Sequence, residues 1–177
     1  MRIQIIGGPG AGKTTLASML AGFFDLPLIE GDKYLWADSD YTVRRPEKKI
    51  TRMLEDALKE APHYVFDGQP DEYAPEIKLD AEILLFIKVP EDVRMERLES
   101  REKQRFGKRI EEGGDLYEES REFIEWASAY AQPTDKVGTY LSYHEKMFFA
   151  FQGKKMILDG TKTIVELIND VLALLDE

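Results

Sequence analysis

The sequence predicts an α/β fold in which a five-stranded parallel sheet is covered by helices on both faces. Two observations support this prediction. Short apolar or β-branched runs alternate with segments of helical periodicity along the whole chain. The most apolar run, Glu82–Val89, is continuously hydrophobic, as is typical of a buried central strand. Because no repeat or linker divides the 177 residues, we expect one domain spanning residues 1–177.

The same patterns assign the elements in chain order. The predicted strands cover residues 2–6, 26–29, 63–66, 82–89 and 154–158. The predicted helices cover residues 14–24, 47–61, a segment that opens at Pro90, and residues 116–130, 140–151 and 163–175. In the second helix the apolar residues recur at the spacing of an amphipathic helix, at Ile50, Met53, Leu54, Ala57 and Leu58.

Composition excludes several classes of function. The chain has no cysteine, which excludes disulfides, thiolate metal sites and cysteine nucleophiles, and its two histidines are too few for a histidine metal cluster. A net charge of −10 argues against a nucleic-acid partner, because phosphate backbones bind positive surfaces. The chain contains no apolar run of the roughly 20 residues that a membrane span needs, and it begins directly with a strand pattern. We therefore expect a cytoplasmic protein without a membrane partner.

A glycine-rich segment, GGPGAGKT at residues 7–14, lies between the first predicted strand and the first predicted helix. It matches G-x-x-x-x-G-K-[ST], whose backbone N–H groups cradle phosphates at a helix N-terminus. The predicted nucleotide-binding residues here are Gly7, Gly8, Pro9, Gly10, Ala11, Gly12, Lys13, Thr14 and Thr15. Lys13 should reach the β- and γ-phosphates, and the Thr14 hydroxyl should bind Mg²⁺. The only asparagine, Asn169, cannot form a guanine-reading Asn-Lys-x-Asp motif, which favours ATP over a guanine switch.

Residues 94–109 form a basic segment in this acidic chain, with seven basic and three acidic residues. Arg97, Arg101 and Arg105 recur every four residues and would line one helix face. Two interpretations remain open, a surface for an anionic ligand and a solvated helix face with ion pairs between successive turns. Glycines 107, 113 and 114 bracket a segment of little periodicity, as expected of a lid that closes over a site.

Four patches together resemble the adenylate-kinase-like group of small P-loop kinases. They are GGPGAGKTTLA from residue 7, FDGQP from residue 66, V-P at residues 89–90 continuing through E-R-L to Arg101, and LDGTK from residue 158. The resemblance implies a P-loop NTPase fold with a small lid at about residues 101–118 and an acceptor-side segment at about residues 30–62.

The resemblance also implies roles for individual residues. Catalytic roles fall to Lys13, Arg101, Arg105 and Arg109. The adenine of the nucleotide would be contacted by Arg97, Gly160, Thr161 and Lys162. Asp67 would organise Mg²⁺ with Thr14, although a carboxylate that only caps a turn is the alternative. Acceptor binding falls to Asp32, Asp67 and Gly68.

Two departures from this group concern the acceptor. The group's arginine after the Gly31-Asp32 turn has no equivalent in residues 33–36, and no arginine follows residues 67–70. Arg44 and Arg45, a doublet before a helix-opening proline, could clamp an anion instead, or could be solvated surface residues. Residues 107–127 resemble more closely the uncharacterised bacterial kinases related to the topology modulation protein.

We therefore expect an ATP- and Mg²⁺-dependent phosphotransferase that moves the γ-phosphate of ATP to a small acceptor, a nucleoside or nucleotide. The alternative is a nucleotide-binding regulatory protein with weak or no kinase turnover, which the missing acceptor arginines motivate. The expected partner is a small-molecule phosphate acceptor, with the chain acting as a monomer or homodimer.

Overall fold

A parallel sheet forms the centre of the computed structural model, which describes residues 1–176. Its five strands are β1 (Arg2–Gly7), β2 (Leu28–Glu30), β3 (Tyr64–Asp67), β4 (Ile83–Lys88) and β5 (Lys154–Asp159). The strands lie in the order β2-β3-β1-β4-β5, and every neighbouring pair is parallel. The predicted fold class is confirmed. β2 begins later than predicted, since Pro27 has no N–H to donate to a neighbouring strand.

Seven α-helices surround this sheet among residues 1–176. They are α1 (Lys13–Phe24), α2 (Gly31–Leu35), α3 (Glu47–Glu60), α4 (Glu91–Phe106), α5 (Tyr117–Ser128), α6 (Leu141–Ala150) and α7 (Ile164–Asp176). Short 3₁₀ helices, Gly107–Ile110 and Ala129–Ala131, follow α4 and α5. Sequence periodicity did not predict α2, because a five-residue helix is shorter than the window in which that signal can be read. None of the helices in the described part of the chain is long and apolar enough to cross a bilayer.

Alternate residues of the strands build hydrophobic layers on both faces of the sheet. Ile3 and Ile5 of β1 pack with α1 and α7 on one face. On the other face Phe86 of β4 packs against Phe148 of α6, and Phe66 of β3 packs against α3. Because the central strands are buried on both sides, their residues are almost all apolar, as the run in β4 predicted.

The carboxyl ends of the strands lie at one edge of the sheet, where α/β proteins bind their ligands. At this edge β1 continues into the glycine-rich loop and α1. Asp67, the last residue of β3, is level with Ile5 of β1 and with Glu30 of β2. The glycine-rich loop therefore has β3 and β2 on one side and β4 and β5 on the other.

Gly31, at the start of α2, provides a test of how tightly this edge is packed. A Cβ at residue 31 would overlap the hydroxyl of Tyr73, and its next contact would be the Asp67 carbonyl oxygen at 3.2 Å. We predict that Gly31→Ala lowers the free energy of unfolding by about 1 to 3 kcal/mol through overpacking. In a Tyr73→Phe background most of this cost should disappear. Urea unfolding of the wild type, the two single variants and the double variant measures this cost. An equal cost of Gly31→Ala in both backgrounds would contradict the packing of residue 31 against the Tyr73 hydroxyl.

Candidate active site

The glycine-rich loop wraps around the N-terminus of α1. The Ala11 N–H donates to the Gly8 carbonyl at 3.1 Å, which closes the turn. Gly10 has φ +80°, and a Cβ there would clash with the backbone carbonyl of Arg94. Only glycine satisfies both conditions at this position. The predicted residues of the loop thus surround one helix N-terminus, where the helix dipole favours an anion.

Three polar side chains meet beside this loop. The Thr14 hydroxyl donates a 2.5 Å hydrogen bond to Asp67 Oδ2, and Lys13 Nζ donates to the Gly8 carbonyl at 3.2 Å. Asp67 is 8% exposed. Its other oxygen, Oδ1, is buried and has no hydrogen-bond partner within residues 1–176. The structure thus joins the predicted phosphate and metal residues across two neighbouring strands.

Charges around Asp67 act in opposite directions on its pKa. Burial raises the pKa of this carboxyl above its usual value, and the negative charges of Asp32 and Glu30 raise it further. The Lys13 ammonium and the hydrogen bond from Thr14 lower it. A cation beside Oδ1 would therefore relieve an unfavourable concentration of negative charge.

These residues fit a magnesium ion bound together with a nucleotide. No group of three or more histidine, aspartate and glutamate side chains in the described residues could hold a metal ion by itself. Mg²⁺ in phosphoryl-transfer enzymes needs few protein ligands, because phosphates and waters fill the other positions. The Thr14 hydroxyl would bind the ion, and Asp67 Oδ1 would accept from one of its waters. When bound, the ion neutralises charge on the β- and γ-phosphates.

A buried arginine holds the glycine-rich loop from behind. Arg94 of α4 is 2% exposed. It donates to the Pro9 carbonyl and to the Ala127 carbonyl, each at 2.9 Å, and its guanidinium lies 5.0 Å from the ring centre of Tyr130. In the sequence, Arg94 is one of the seven basic residues of the segment 94–109 and has no predicted role of its own. A signal was present, since Arg94 lies one turn before the apolar Leu98 on the buried face of α4.

Behind Tyr130, three buried side chains form a hydrogen-bonded chain. Tyr130 donates to His144 Nδ1 at 2.9 Å, and His144 Nε2 donates to Gln69 Oε1 at 2.6 Å. This pattern needs a neutral imidazole with its proton on Nε2. Burial lowers the pKa of His144 to about 3, and the positive charge of Lys13 lowers it as well. The chain links Arg94 and the loop to the turn that follows Asp67.

The predicted adenine-side residues lie on the β4 and β5 side of the loop. Arg97 Nη1 donates to the Gly160 carbonyl at 2.8 Å. Gly160 is buried, and a Cβ there would lie 3.2 Å from the Ala11 carbonyl oxygen. The side chain of Thr161 bonds Asp159, and that of Lys162 bonds Asp170. Arg97 and Gly160 therefore come together beside the loop. The side chains of Thr161 and Lys162 instead bond nearby aspartates of β5 and α7.

The predicted lid consists of the end of α4, a 3₁₀ turn and the start of α5. Arg101 is exposed and bonds the neighbouring Glu102. Arg105 donates to the Ser39 carbonyl at 2.8 Å and lies over the Tyr41 ring at 4.1 Å. Arg109 bonds both Asp40 and Asp115. The last two arginines therefore join the lid to residues 39–41 of the acceptor-side segment.

The two acceptor-side arginines have different surroundings. Arg45 Nη1 donates to the carbonyls of Lys33, Tyr34 and Trp36, so that it holds its own segment together. Arg44 is exposed, and its backbone pairs with Trp36 in an antiparallel bridge. The anion clamp that the doublet suggested would thus depend on Arg44.

The remaining acceptor-side residues lie at the ends of β2 and β3. Asp32 is exposed in the first turn of α2, and its charge reaches both Asp67 and Tyr73. Gly68 is fixed by two hydrogen bonds, from its N–H to the Ile5 carbonyl and from Gln4 Nε2 to its own carbonyl. These two predicted residues therefore lie on the same side of the glycine-rich loop.

Removing Arg94 should loosen the loop. We predict that Arg94→Met lowers the free energy of unfolding by about 2 to 4 kcal/mol, because the buried Pro9 and Ala127 carbonyls lose their donors. Binding of ADP should weaken by about tenfold as the loop loses its fixed shape. Urea unfolding and calorimetric titration measure the two effects. The control is Arg121→Met on α5, at an exposed arginine. Equal values for both variants would contradict the role of Arg94.

The buried histidine should make stability depend on pH. Burial depresses the folded-state pKa of His144 to about 3, below the ordinary histidine value of 6.5, so the unfolded chain binds an additional proton between these values. Stability from this group is full above pH 6.5 and is lost as the pH falls, by about 1.4 kcal/mol per pH unit at most. His144→Gln can keep both hydrogen bonds without titrating. The difference in urea midpoint between the wild type and His144→Gln should be smaller at pH 5 than at pH 7, because only the wild type loses stability through residue 144. An equal difference at both pH values would refute this.

Comparison of the sequence with known proteins identifies a family. A family model described as an AAA domain matches residues 3–122, which is more than half of the chain. The uncharacterized protein YqaC of Bacillus subtilis (strain 168) is 33% identical over 128 residues, covering 72% of this chain and 71% of that protein.

Solved structures resemble the whole chain. Deoxyadenosine kinase from M. mycoides with bound dATP superposes with a TM-score of 0.58 at 15% identity, covering 100% of both chains. Shikimate kinase from Aquifex aeolicus superposes with a TM-score of 0.50 at 19% identity, covering 99% of this chain and 96% of that one. At these identities the likeness concerns the fold. The chain therefore belongs to the AAA domain family, and its fold is that of a small kinase-like P-loop NTPase.

Proposed function

We propose that this protein is an ATP- and Mg²⁺-dependent phosphotransferase that moves the γ-phosphate of ATP to a small acceptor, a nucleoside or a nucleotide. The observation that carries the proposal is the 2.5 Å hydrogen bond between Thr14 and Asp67 beside Lys13. It joins a hydroxyl and a buried carboxylate at the N-terminus of α1, which supports a metal-assisted triphosphate site. This is the equipment that an enzyme needs to hold a triphosphate tail with its metal.

Phosphoryl transfer asks a protein for positioning and for charge stabilisation more than for covalent chemistry. The backbone N–H groups of the loop and the start of α1 would hold the β-phosphate. Lys13, which now donates to the Gly8 carbonyl, would turn to the β- and γ-phosphates. The exchange replaces a neutral acceptor with a charged one, so it favours the bound state.

The arginines of α4 would supply further positive charge. Arg97 already contacts the Gly160 loop, and Arg101 lies one turn further along the same helix face. Arg105 and Arg109 would exchange their present contacts with residues 39–41 for phosphate oxygens as the site closes. Such arginines can contribute roughly 10³ to 10⁵ in rate when they reach the transferred group.

A second function is favoured if the arginines keep their present contacts within the protein after ATP binds. Arg45, Arg105 and Arg109 are all engaged within the protein. A chain that kept them engaged would bind ATP without transferring phosphate and would act as a nucleotide-dependent regulator. Tight ATP binding without turnover on any acceptor, and a protein partner captured only in the ATP state, would identify this alternative.

The first test removes the phosphate-binding lysine. We predict that Lys13→Ala lowers kcat for transfer of labelled γ-phosphate by at least about 10²-fold, because the transferred group loses a charged donor. The assay uses ATP·Mg²⁺ with a panel of nucleosides, nucleoside monophosphates and small hydroxyl metabolites. The matched control is Lys48→Ala, at an exposed lysine on α3, which should retain activity.

Three outcomes of this assay are distinct. Transfer that is lost in Lys13→Ala and retained in Lys48→Ala supports a kinase. Transfer that survives in both variants contradicts the assigned site. ATP binding that Lys13→Ala weakens, with no transfer to any acceptor, rejects the kinase and favours the regulator.

A further inference from the structure

The two sides of the glycine-rich loop have different chemistry. On the β4 and β5 side, Arg97 and Gly160 form the expected base-binding region. On the opposite side, the ends of β2 and β3 place Glu30 level with Asp67. α2 follows β2 directly and brings Asp32 to the same edge. If ATP lies with its base toward β5, the acceptor must approach from the edge formed by β2 and β3.

This edge carries negative charge. Tyr73 is buried there, and burial raises the pKa of its hydroxyl, with further increases from nearby carboxylates. Those carboxylates are Asp32, Asp67, Asp71 and Glu72. They do not form a metal-binding group among the described residues. Asp67, which is only 8% exposed, also lies at this edge, and its Oδ1 has no hydrogen-bond partner within residues 1–176. A carboxylate oxygen can accept from a water of the Mg²⁺ ion and from one further donor.

The cations that could balance this charge are bound within the protein or, in the proposed transfer, to the phosphates of ATP. Lys33 pairs with Glu30 at 2.5 Å. Arg45 donates to three backbone carbonyls, Arg105 bonds the Ser39 carbonyl, and Arg109 pairs with Asp40 and Asp115. Arg44 is exposed, and no hydrogen bond or ion pair engages its side chain within residues 1–176. A phosphorylated acceptor would therefore meet carboxylates, with one exposed arginine available to it.

We propose that the phosphate acceptor is an uncharged hydroxyl compound, a nucleoside or a sugar, and that the carboxylates at the ends of β2 and β3 select against its phosphorylated counterparts. Carboxylates accept hydrogen bonds from hydroxyl groups, whereas juxtaposed like charges are unfavourable. Asp32 is the residue that we assign to this selection, because it is exposed in the first turn of α2, which follows β2 directly at this edge.

Phosphate transfer to this acceptor needs no reactant other than ATP. A hydroxyl oxygen of the acceptor forms a bond to the γ-phosphorus, and the bond from that phosphorus to the bridging β,γ-oxygen breaks. The products are ADP, a phosphate monoester and the proton of the hydroxyl. This inference rests on the proposed kinase activity for the transfer, whereas the charge preference of the acceptor edge can be measured by binding.

The experiment compares acceptors in matched pairs, nucleosides with their 5′-monophosphates and sugars with their phosphates. We expect kcat/KM to favour the uncharged member of an accepted pair by about 100-fold or more. Asp32→Asn should reduce this preference by about tenfold, because it removes one negative charge and keeps the size of the side chain. The matched control, Asp56→Asn on an exposed position of α3, should leave the preference unchanged.

A binding measurement separates this inference from the proposed function. Calorimetric titration of the same compounds into protein loaded with ADP·Mg²⁺ does not require transfer. Absence of transfer together with binding of the uncharged members alone rejects the kinase and supports the charge preference. The inference is overturned if a monophosphate is preferred and Arg44→Gln removes that preference, if Asp32→Asn changes nothing, or if neither member of any pair binds.

Discussion

The hydrogen bonds of Arg94 are the interaction on which the arrangement of the site depends. The glycine-rich loop has few side chains of its own to fix its shape, and a guanidinium behind it supplies the missing contacts. Through the Pro9 and Ala127 carbonyls, Arg94 ties the loop to α4 and to the end of α5. A buried charge is unfavourable without partners, so these bonds and the ring of Tyr130 must all be present together. The loop, α4 and α5 are consequently positioned as one unit.

The same unit extends to the acceptor side through the buried polar chain. Tyr130 bonds His144, His144 bonds Gln69, and Gln69 stands two residues after Asp67. A fully satisfied buried network permits few alternative arrangements, because any shift leaves a polar group without a partner. The buried Tyr130–His144–Gln69 chain thus fixes the position of the phosphate loop relative to the turn after Asp67. The lid is held differently, by arginines at its surface that contact residues 39–41.

Much of the fold could be predicted from the sequence, because its signals are local. The strand of residues 83–88 is a continuous apolar run, and the phosphate loop has a motif whose spacing follows from its geometry. The site was only partly predictable. Gln69 and His144 are 75 residues apart, and nothing local in either segment indicates that they meet. Arg94 had no predicted role beyond its charge in the basic segment, since composition cannot distinguish an arginine that faces solvent from one that bonds buried carbonyls. Arg45 was similarly considered as an anion clamp, and its contacts with three carbonyls are set by the fold of its own segment.

Phosphorus NMR of the wild-type protein with ATP·Mg²⁺ and a mixture of nucleosides and sugars tests the proposed phosphate transfer most directly. We predict a phosphate-monoester resonance that grows at the rate at which the γ-phosphate resonance of ATP declines, with ADP as the other product. ATP that stays intact in every mixture, or that yields inorganic phosphate alone, would contradict a phosphotransferase.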